Sequence, residues 1–356
     1  MNITDFIPEK SLRLVKYSGD QLIDRLGFEV IKNVVISILS GRNVRDLTEG
    51  LTQRRILLMN TSVIITYLKL MSHDDNIEDK ITSMVKSNLH VKKLGAEKKA
   101  YLQWFLGLTG KSVQNVIRDE EGLNRYLDAY DANLKDISEE VKKNYGDLIL
   151  NAQYEGKELL LKWPNLLRCL LTVGAQTLTI RGSEKSLYGK TFEKLTLGSV
   201  LSILGFVLID KNDTRKNSKV FWLSEREDKR EADATAIVKP GIGIRFDIGF
   251  IGEGNTEVSL DKVTRFEHIM QKGSNQYNMT TIIIVDKIGE GSRIVEMSKD
   301  FGYIIQMSET YWVYRLALIL KEVCGYNHEL LNKSKEESLL YIKRKMKDVD
   351  LNSFIA

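Results

Sequence analysis

The sequence predicts a mixed α/β domain set within a mainly helical chain. Three observations predict it. The first half carries apolar residues at helical spacing almost throughout. The second half breaks into short apolar runs, TTIIIVD and YIIQM among them, separated by Gly-bearing turns. Only three prolines occur in 356 residues, which suits long helices. The length allows a large core and two domains. They are expected as a mainly helical domain over residues 1–180 and a mixed domain over 181–356 with C-terminal helices.

The elements follow in chain order. QLIDRLGFEVIKNVVISILSG reads as a helix closed by a glycine suited to its C-cap. TQRRILLMNTSVIITYLKLM is a second helix. AEKKAYLQWFLGL and the stretch from VQNVIRDEEG to GDLIL continue the pattern. Trp163-Pro164 is the clearest helix interruption. The texture changes after about residue 185. GKTFEKLTLGSVLSILGFVLI is an amphipathic helix with an apolar end, and the polar, basic segment DKNDTRKNSKVFWLSEREDKR follows it. Strand ADATAIV, turn KPGIG and strand IRFDIGFIG come next. GEGN turns the chain into strand TEVSLD. KVTRFEHIMQK is helical, TTIIIVD is a buried strand, SRIVEMSKDFG is a helix and YIIQM a strand. YWVYRLALILKEV and ESLLYIKRKMKDV return to helix.

Composition excludes several classes. The net charge of +4 is mild, so it names no partner, although a local basic face would still matter. The two cysteines, Cys169 and Cys324, lie far apart in sequence and have no metal-ligand spacing, which fits a reduced cytosolic protein. The first residues hold no apolar signal core, and charges interrupt every apolar run before membrane-spanning length. His73, His90, His268 and His328 form no cluster.

Two glycine-rich stretches are decoys. GLTGKS (Gly107 to Ser112) imitates the end of a phosphate-binding loop. Phe105 stands where the first glycine of that pattern belongs, and no apolar strand precedes it. GFIGEGN carries Gly249, Gly252 and Gly254 between strands, whereas a dinucleotide fingerprint opens a helix. Its work is a tight turn, with Asn255 suited to a left-handed backbone.

The carboxylates carry more information. Strand alternation places Arg245, Asp247 and Gly249 on one face and Phe246, Ile248 and Phe250 on the other. A charge amid Ile, Phe and Gly is costly unless it is compensated. Glu257 opens the next expected strand after a short turn, so the two carboxylates converge at a sheet edge. A close carboxylate pair is stable around a hard cation, and oxygen-ligated Mg²⁺ is the natural choice. Such an ion lowers the pKa of a bound water and stabilises charge on a phosphate.

At these residues the chain resembles the PD-(D/E)xK nuclease superfamily, above all type II restriction endonucleases. Its core is a helix, a three-strand meander, a helix and a fourth strand. KTFEKLTLGSVLSILG, ADATAIV, IRFDIGFIG, TEVSLD, KVTRFEHIM and TTIIIVD fill those places in order, over roughly residues 185–310. RFDIGFIGEGNTEVSLDKVTRFE also resembles the restriction enzymes grouped with CfrBI. The resemblance implies a PD-(D/E)xK-like core with a mixed sheet, and Mg²⁺-dependent hydrolysis of phosphodiester bonds in specific double-stranded DNA. It further implies a homodimer and a prokaryotic cytoplasm shared with a methyltransferase that protects host DNA.

The resemblance assigns roles one residue at a time. Asp247 matches the motif aspartate and Glu257 the (D/E) position, both metal ligands, with the main-chain carbonyl of Val258 beside them. Ser259 occupies the lysine position, a departure. Lys262 lies three residues later and can supply the ammonium. Glu193 matches an extra carboxylate on the preceding helix, and Asp233 and Glu267 are further candidates. Lys211, Arg215, Lys216 and Lys219 lie near the expected cleft with the chemistry of phosphate contacts, and Asn212 and Asn217 among them suit base edges.

Each assignment has a plainer counterpart. Asp247 is also what a strand carboxylate paired with Arg245 or Arg265 would look like, and Glu257 a solvated turn residue. Lys262 at a helix start, Glu193 on a helix surface, Asp233 as a strand cap and the basic run as a solvated loop are the others. Tyr311, Trp312 and Tyr314 read as packing residues. Ser259 keeps open a DNA-binding module on the same fold that does not cut. A repair or transposon nuclease of the superfamily and a helical interaction protein are the remaining readings. The last would have no metal site.

Overall fold

The computed structural model describes residues 2–74, 76–89, 94–116, 119–213, 218–224, 232–250, 278–288 and 303–355. It divides into two compact units. One comprises Met1–Ser18 and Leu51–Lys185, the other Gly19–Gly50 and Ser186–Ala356. The stretch 19–50 thus packs with the C-terminal part rather than with the helices around it in sequence.

The first unit is helical. It holds α1 (Glu9–Val15), most of α4 (Val44–His73), α5 (Ile77–Leu89), α6 (Ala96–Phe105), α7 (Gly110–Val116) and α8 (Glu120–Tyr145). A hairpin of β1 (Leu150–Tyr154) and β2 (Lys157–Leu161) follows, and then the first half of α9 (Trp163–Ile203). Helical spacing alone does not show that hairpin, because the run from Leu148 to Leu161 lacks a clean period. Trp163-Pro164 starts α9, as proline does in a first helical turn, where no backbone N–H is needed. Aromatics fill the centre, with Tyr67 stacked on Phe105 at 4.8 Å. By length and composition α4 could cross a membrane, but Met59, Val63, Tyr67 and Leu70 on its inner face are buried in this core.

The second unit contains α2 (Leu22–Leu26) and α3 (Phe28–Leu39), which Gly27 separates where one helix was expected. Gly27 sits at φ +99°, a backbone position that other residues avoid. Its sheet has the order β3 (Val207–Leu208), β4 (Val220–Leu223), β5 (Ala234–Lys239), β6 (Ile242–Gly249), β7 (Asn278–Val285) and β8 (Tyr303–Gln306). Pairings β3–β4, β6–β7 and β7–β8 are parallel, and β4–β5 and β5–β6 antiparallel. Helices α10 (Trp312–Cys324) and α11 (Lys335–Lys345) follow.

One sheet face is core. Phe221, Ala234, Ala236, Ile244, Phe246, Ile248, Ile282, Ile284 and Ile305 are all fully buried. Alternation then sends Arg245 and Asp247 to the other face, where both are half-buried. Trp312 belongs to the core, and its indole N–H donates to the Ile38 carbonyl at 2.9 Å. Strand β4 arises inside the segment expected to be a polar loop, because VFWL is too short to stand out between charged neighbours.

Candidate active site

The turn Pro240-Gly241 joins β5 to β6, so the start of β5 lies beside the end of β6. Ala234 pairs with Phe246. Asp233 precedes that pair and Asp247 follows it, which sets the two aspartates side by side. Asp233 Oδ2 accepts the backbone N–H of Ile248 at 2.8 Å. A strand N–H beyond the last ladder partner needs an acceptor, and the Asp233 carboxylate supplies it. Asp233 is therefore a strand cap, as its plainer reading had it, and also a carboxylate next to Asp247.

On its other edge Asp247 pairs with Ile283 of β7. Both edges of β6 are thus occupied, by β5 and by β7. The strand expected at Thr256–Asp261, which was to carry Glu257 to Asp247, lies outside the described residues. The parallel β6–β7 pairing is a long-range contact that local alternation cannot announce. Glu257, Val258, Ser259, Lys262 and Glu267 lie outside the described residues. So do Arg215, Lys216 and Asn217.

Glu193 is half-buried on α9 within the second unit. Lys211 and Asn212 are exposed in a turn after β3. Asp210 builds that turn, accepting the Asn212 N–H at 2.8 Å through its side chain and the Asp213 N–H at 2.9 Å through its carbonyl. Lys219, at φ +52°, holds its ammonium 5.6 Å from the centre of the Tyr326 ring, a cation–π contact.

Sequence reading did not single out Asp286, just past β7. It is 2% exposed, its N–H donates to the Gly249 carbonyl at 3.2 Å, and its Oδ1 has no hydrogen-bond partner among the described residues. Burial pushes its carboxyl above the usual range, Arg45 opposes that and Asp46 adds to it. The final Asp of TTIIIVD is the only signal sequence offers. His328 caps the turn Glu329–Asn332 by accepting the Leu330 N–H, and burial lowers its pKa. In GLTGKS, Thr109 Oγ1 accepts the Ser112 N–H at 3.3 Å at the start of α7, a helix cap rather than a phosphate loop.

Among the described residues no three His, Cys, Asp or Glu side chains converge as a metal site. The Asp233–Asp247 pair is a partial donor set of the kind a hard cation takes. A carboxylate has about four acceptor positions, so an oxygen that accepts one amide keeps capacity for a metal.

The chain matches the family model of the CfrBI restriction endonuclease over residues 28–293. It is also 38% identical over 363 residues to the type II restriction enzyme CfrBI of Citrobacter freundii, covering 100% of this chain and 99% of that protein. The chain belongs to the CfrBI restriction endonuclease family. No solved structure matches it. As a member of the CfrBI family the protein is a type II restriction endonuclease, a hydrolase acting on double-stranded DNA, as the resemblance of the β6 region implied. Its mixed sheet among helices is consistent with a PD-(D/E)xK-like core.

Proposed function

We propose that Asp233 and Asp247 are the carboxylates with which this restriction endonuclease holds Mg²⁺ at the scissile phosphate. The observation that carries the reading is the β5–β6 register, which sets the two aspartates side by side. Glu257, with the Val258 carbonyl, completes the ligand set. The eight residues from Gly249 to Glu257 can span at most about 27 Å, ample to return to the end of β6. Glu193 is the remaining carboxylate candidate. Bound there, the ion would acidify a water and offset charge on the phosphate.

The chain's own groups have separate tasks. Asp247 stands on a strand bonded along both edges, so its position is rigid. Asp233 is fixed by the Ile248 N–H. Lys262 brings an ammonium to the attacking water in place of the missing lysine at Ser259. Lys211, Arg215, Lys216 and Lys219 contact phosphates, and Asn212 and Asn217 reach base edges. Two chains act as a homodimer on the two strands, in a bacterial cytoplasm where a cognate methyltransferase protects host DNA. Family membership favours cutting over a DNA-binding module, a repair or transposon nuclease, or a helical interaction protein.

The test is incubation of the purified protein with plasmid DNA and Mg²⁺, followed by sequencing of fragment ends. Discrete ends at one short sequence are expected from the wild type and none from Asp247→Asn. Ends scattered over the plasmid, or wild-type cutting by Asp247→Asn, would overturn the reading.

A further inference from the structure

The C-terminal part of the second unit carries a basic surface built on aromatic rings. Tyr326, His328 and Tyr341 form a row, with ring centres 6.3 Å apart in the first pair and 6.0 Å in the second. Both tyrosines are buried. Tyr326 Oη donates to the Leu204 carbonyl at 2.7 Å and Tyr341 Oη to Glu329 Oε1 at 2.5 Å, which fixes both rings. Lys219 stands over one end of the row, 5.6 Å from the Tyr326 centre. Lys333, Arg344 and Lys345 stand at the other end, each 5.6–5.7 Å from the Tyr341 centre. A ring face attracts a cation and so holds its long stem in place. Burial lowers the pKa of His328 between them; Glu329 opposes this, and Lys345 and Lys219 add to it, so charges from both ends act on one imidazole. The acid that meets this row is Glu329, paired with Lys345 at 3.4 Å. Glu337, one turn before Tyr341 on α11, is engaged in the capping box with Ser334. Lys219, Lys333 and Arg344 have no carboxylate partner among the described residues.

From this surface we infer that Lys333 and Arg344, with Lys345 beside them, clamp the phosphate backbone of DNA that flanks the cut. Like charges gathered on one surface repel one another, and a polyanion relieves that repulsion. The rings already fix the cations, so little side-chain freedom is lost on contact. The rings themselves are covered and offer no face to a base, so this surface reads charge and not sequence. Its place also suits a duplex. The Ser224 N–H donates to the Asp233 carbonyl at 3.1 Å, and β4 leads back from there to Lys219. At about 3.3 Å per residue Lys219 lies about 17 Å from Asp233, roughly the rise of five base pairs. The inference rests on the reading above in one respect: the Asp233–Asp247 pair marks the bond that is cut.

The test measures binding, not cleavage. Anisotropy of a fluorescein-labelled DNA duplex, read with EDTA present across a salt series, gives the slope of log affinity against log salt for the full-length protein. Lys333→Gln with Arg344→Gln should lower that slope by about 1.8, at about 0.9 for each phosphate contact. Lys333→Arg with Arg344→Lys should keep the slope, because the charge remains. Glu329→Gln should bind several-fold more tightly than wild type, since it removes the acid beside Lys345 and leaves an oxygen for Tyr341 Oη. A damaged fold would not bind more tightly. A slope unchanged in the double glutamine variant would overturn the inference and assign the surface to an acidic protein instead. A slope lost equally in the charge-keeping variant, or weaker binding by Glu329→Gln, would also overturn it. The assay holds no divalent metal, so a wild type that shows these slopes but never cuts counts against the carboxylate site and leaves this surface standing.

Discussion

Asp233 closes the open end of the β5–β6 ladder by accepting the Ile248 N–H, one residue past Asp247, at 2.8 Å. The carboxylate proposed as a metal ligand is thus also a capping group, and two substitutions separate the two roles. Asp233→Asn keeps an oxygen for the amide and loses the charge. Its folded stability should stay near wild type while cleavage falls at least about 10²-fold, on the scale of one lost electrostatic stabiliser. Asp233→Ala loses both, and losing the bond from the Ile248 N–H should cost a further 1–3 kcal/mol or so. Urea unfolding beside cleavage kinetics checks the split, and equal stability of the two variants would refute the capping role.

The basic loop should act through salt. Each lost phosphate contact removes about 0.9 from the slope of log affinity against log salt. Neutralising Lys211, Arg215, Lys216 and Lys219 together should flatten that slope. Lys219→Ala alone should contribute least, because its ammonium already rests on the Tyr326 ring. A slope unchanged in the fourfold variant would place DNA elsewhere.

Asp286 should make stability depend on pH. Burial raises its folded pKa above the ordinary 3.8. For a raised carboxyl the contribution is fully present below about pH 3.8 and is lost as pH rises through the folded value. Asp286→Asn, which carries no charge, should therefore be more stable than wild type at neutral pH by roughly 1–2 kcal/mol. That gain should shrink towards acid. Denaturant midpoints from pH 4 to 8 would show the trend, and a gain that grows towards acid would be against it.

How legible was this in the sequence? The strands β5 to β8 and the helices after them follow from apolar runs, because a strand buried on one or both faces must be apolar there. The alternation that points Asp247 away from Phe246 and Ile248 is likewise local. The neighbour of Asp247 is not local. Asp233 reads as a cap, and only the register of β5 on β6 brings it beside Asp247. The second neighbour, Ile283, comes from a strand far along the chain. Asp286 shows no sign of burial until β7 is placed. Residues 19–50 joined the sheet unit for the same kind of reason: Trp312 and Ile38 meet across 274 positions.

A buried ion pair, Arg55–Glu184, joins α4 to α9 in the helical unit. Arg55 and Glu184 are both 2% exposed, and Arg55 also donates to the carbonyls of Leu14 at 2.8 Å and Val15 at 2.9 Å. Its guanidinium lies over the Tyr17 ring at 4.3 Å. Arg55→Ala removes the buried guanidinium together with its bonds to Glu184 and the Leu14 and Val15 carbonyls, and should cost about 3–5 kcal/mol. Replacing both, Arg55→Met with Glu184→Leu, should cost clearly less than Arg55→Ala. Chemical denaturation of the three proteins decides it. A double variant no more stable than the single would mean the carbonyl contacts, not the pair, dominate.

The last prediction concerns the cation at the site. Hydrolysis of the phosphodiester needs positive charge near the attacking water, to hold it and to offset charge in the transition state. Ser259 cannot provide it. Lys262 can, because its long stem lets the ammonium reach beyond its own backbone position. Arg245, two positions from Asp247 on the same strand face, is the rival cation that the structure itself supplies. Lys262→Ala should lower the cleavage rate about 10²-fold or more with DNA affinity little changed. Ser259→Lys should restore part of that rate in the Lys262→Ala background, since it returns an ammonium to the motif position. Arg245→Ala should leave the Lys262 effect intact if Lys262 is the operative cation. Normal cutting by Lys262→Ala, with activity lost instead in Arg245→Ala, would transfer the role to Arg245.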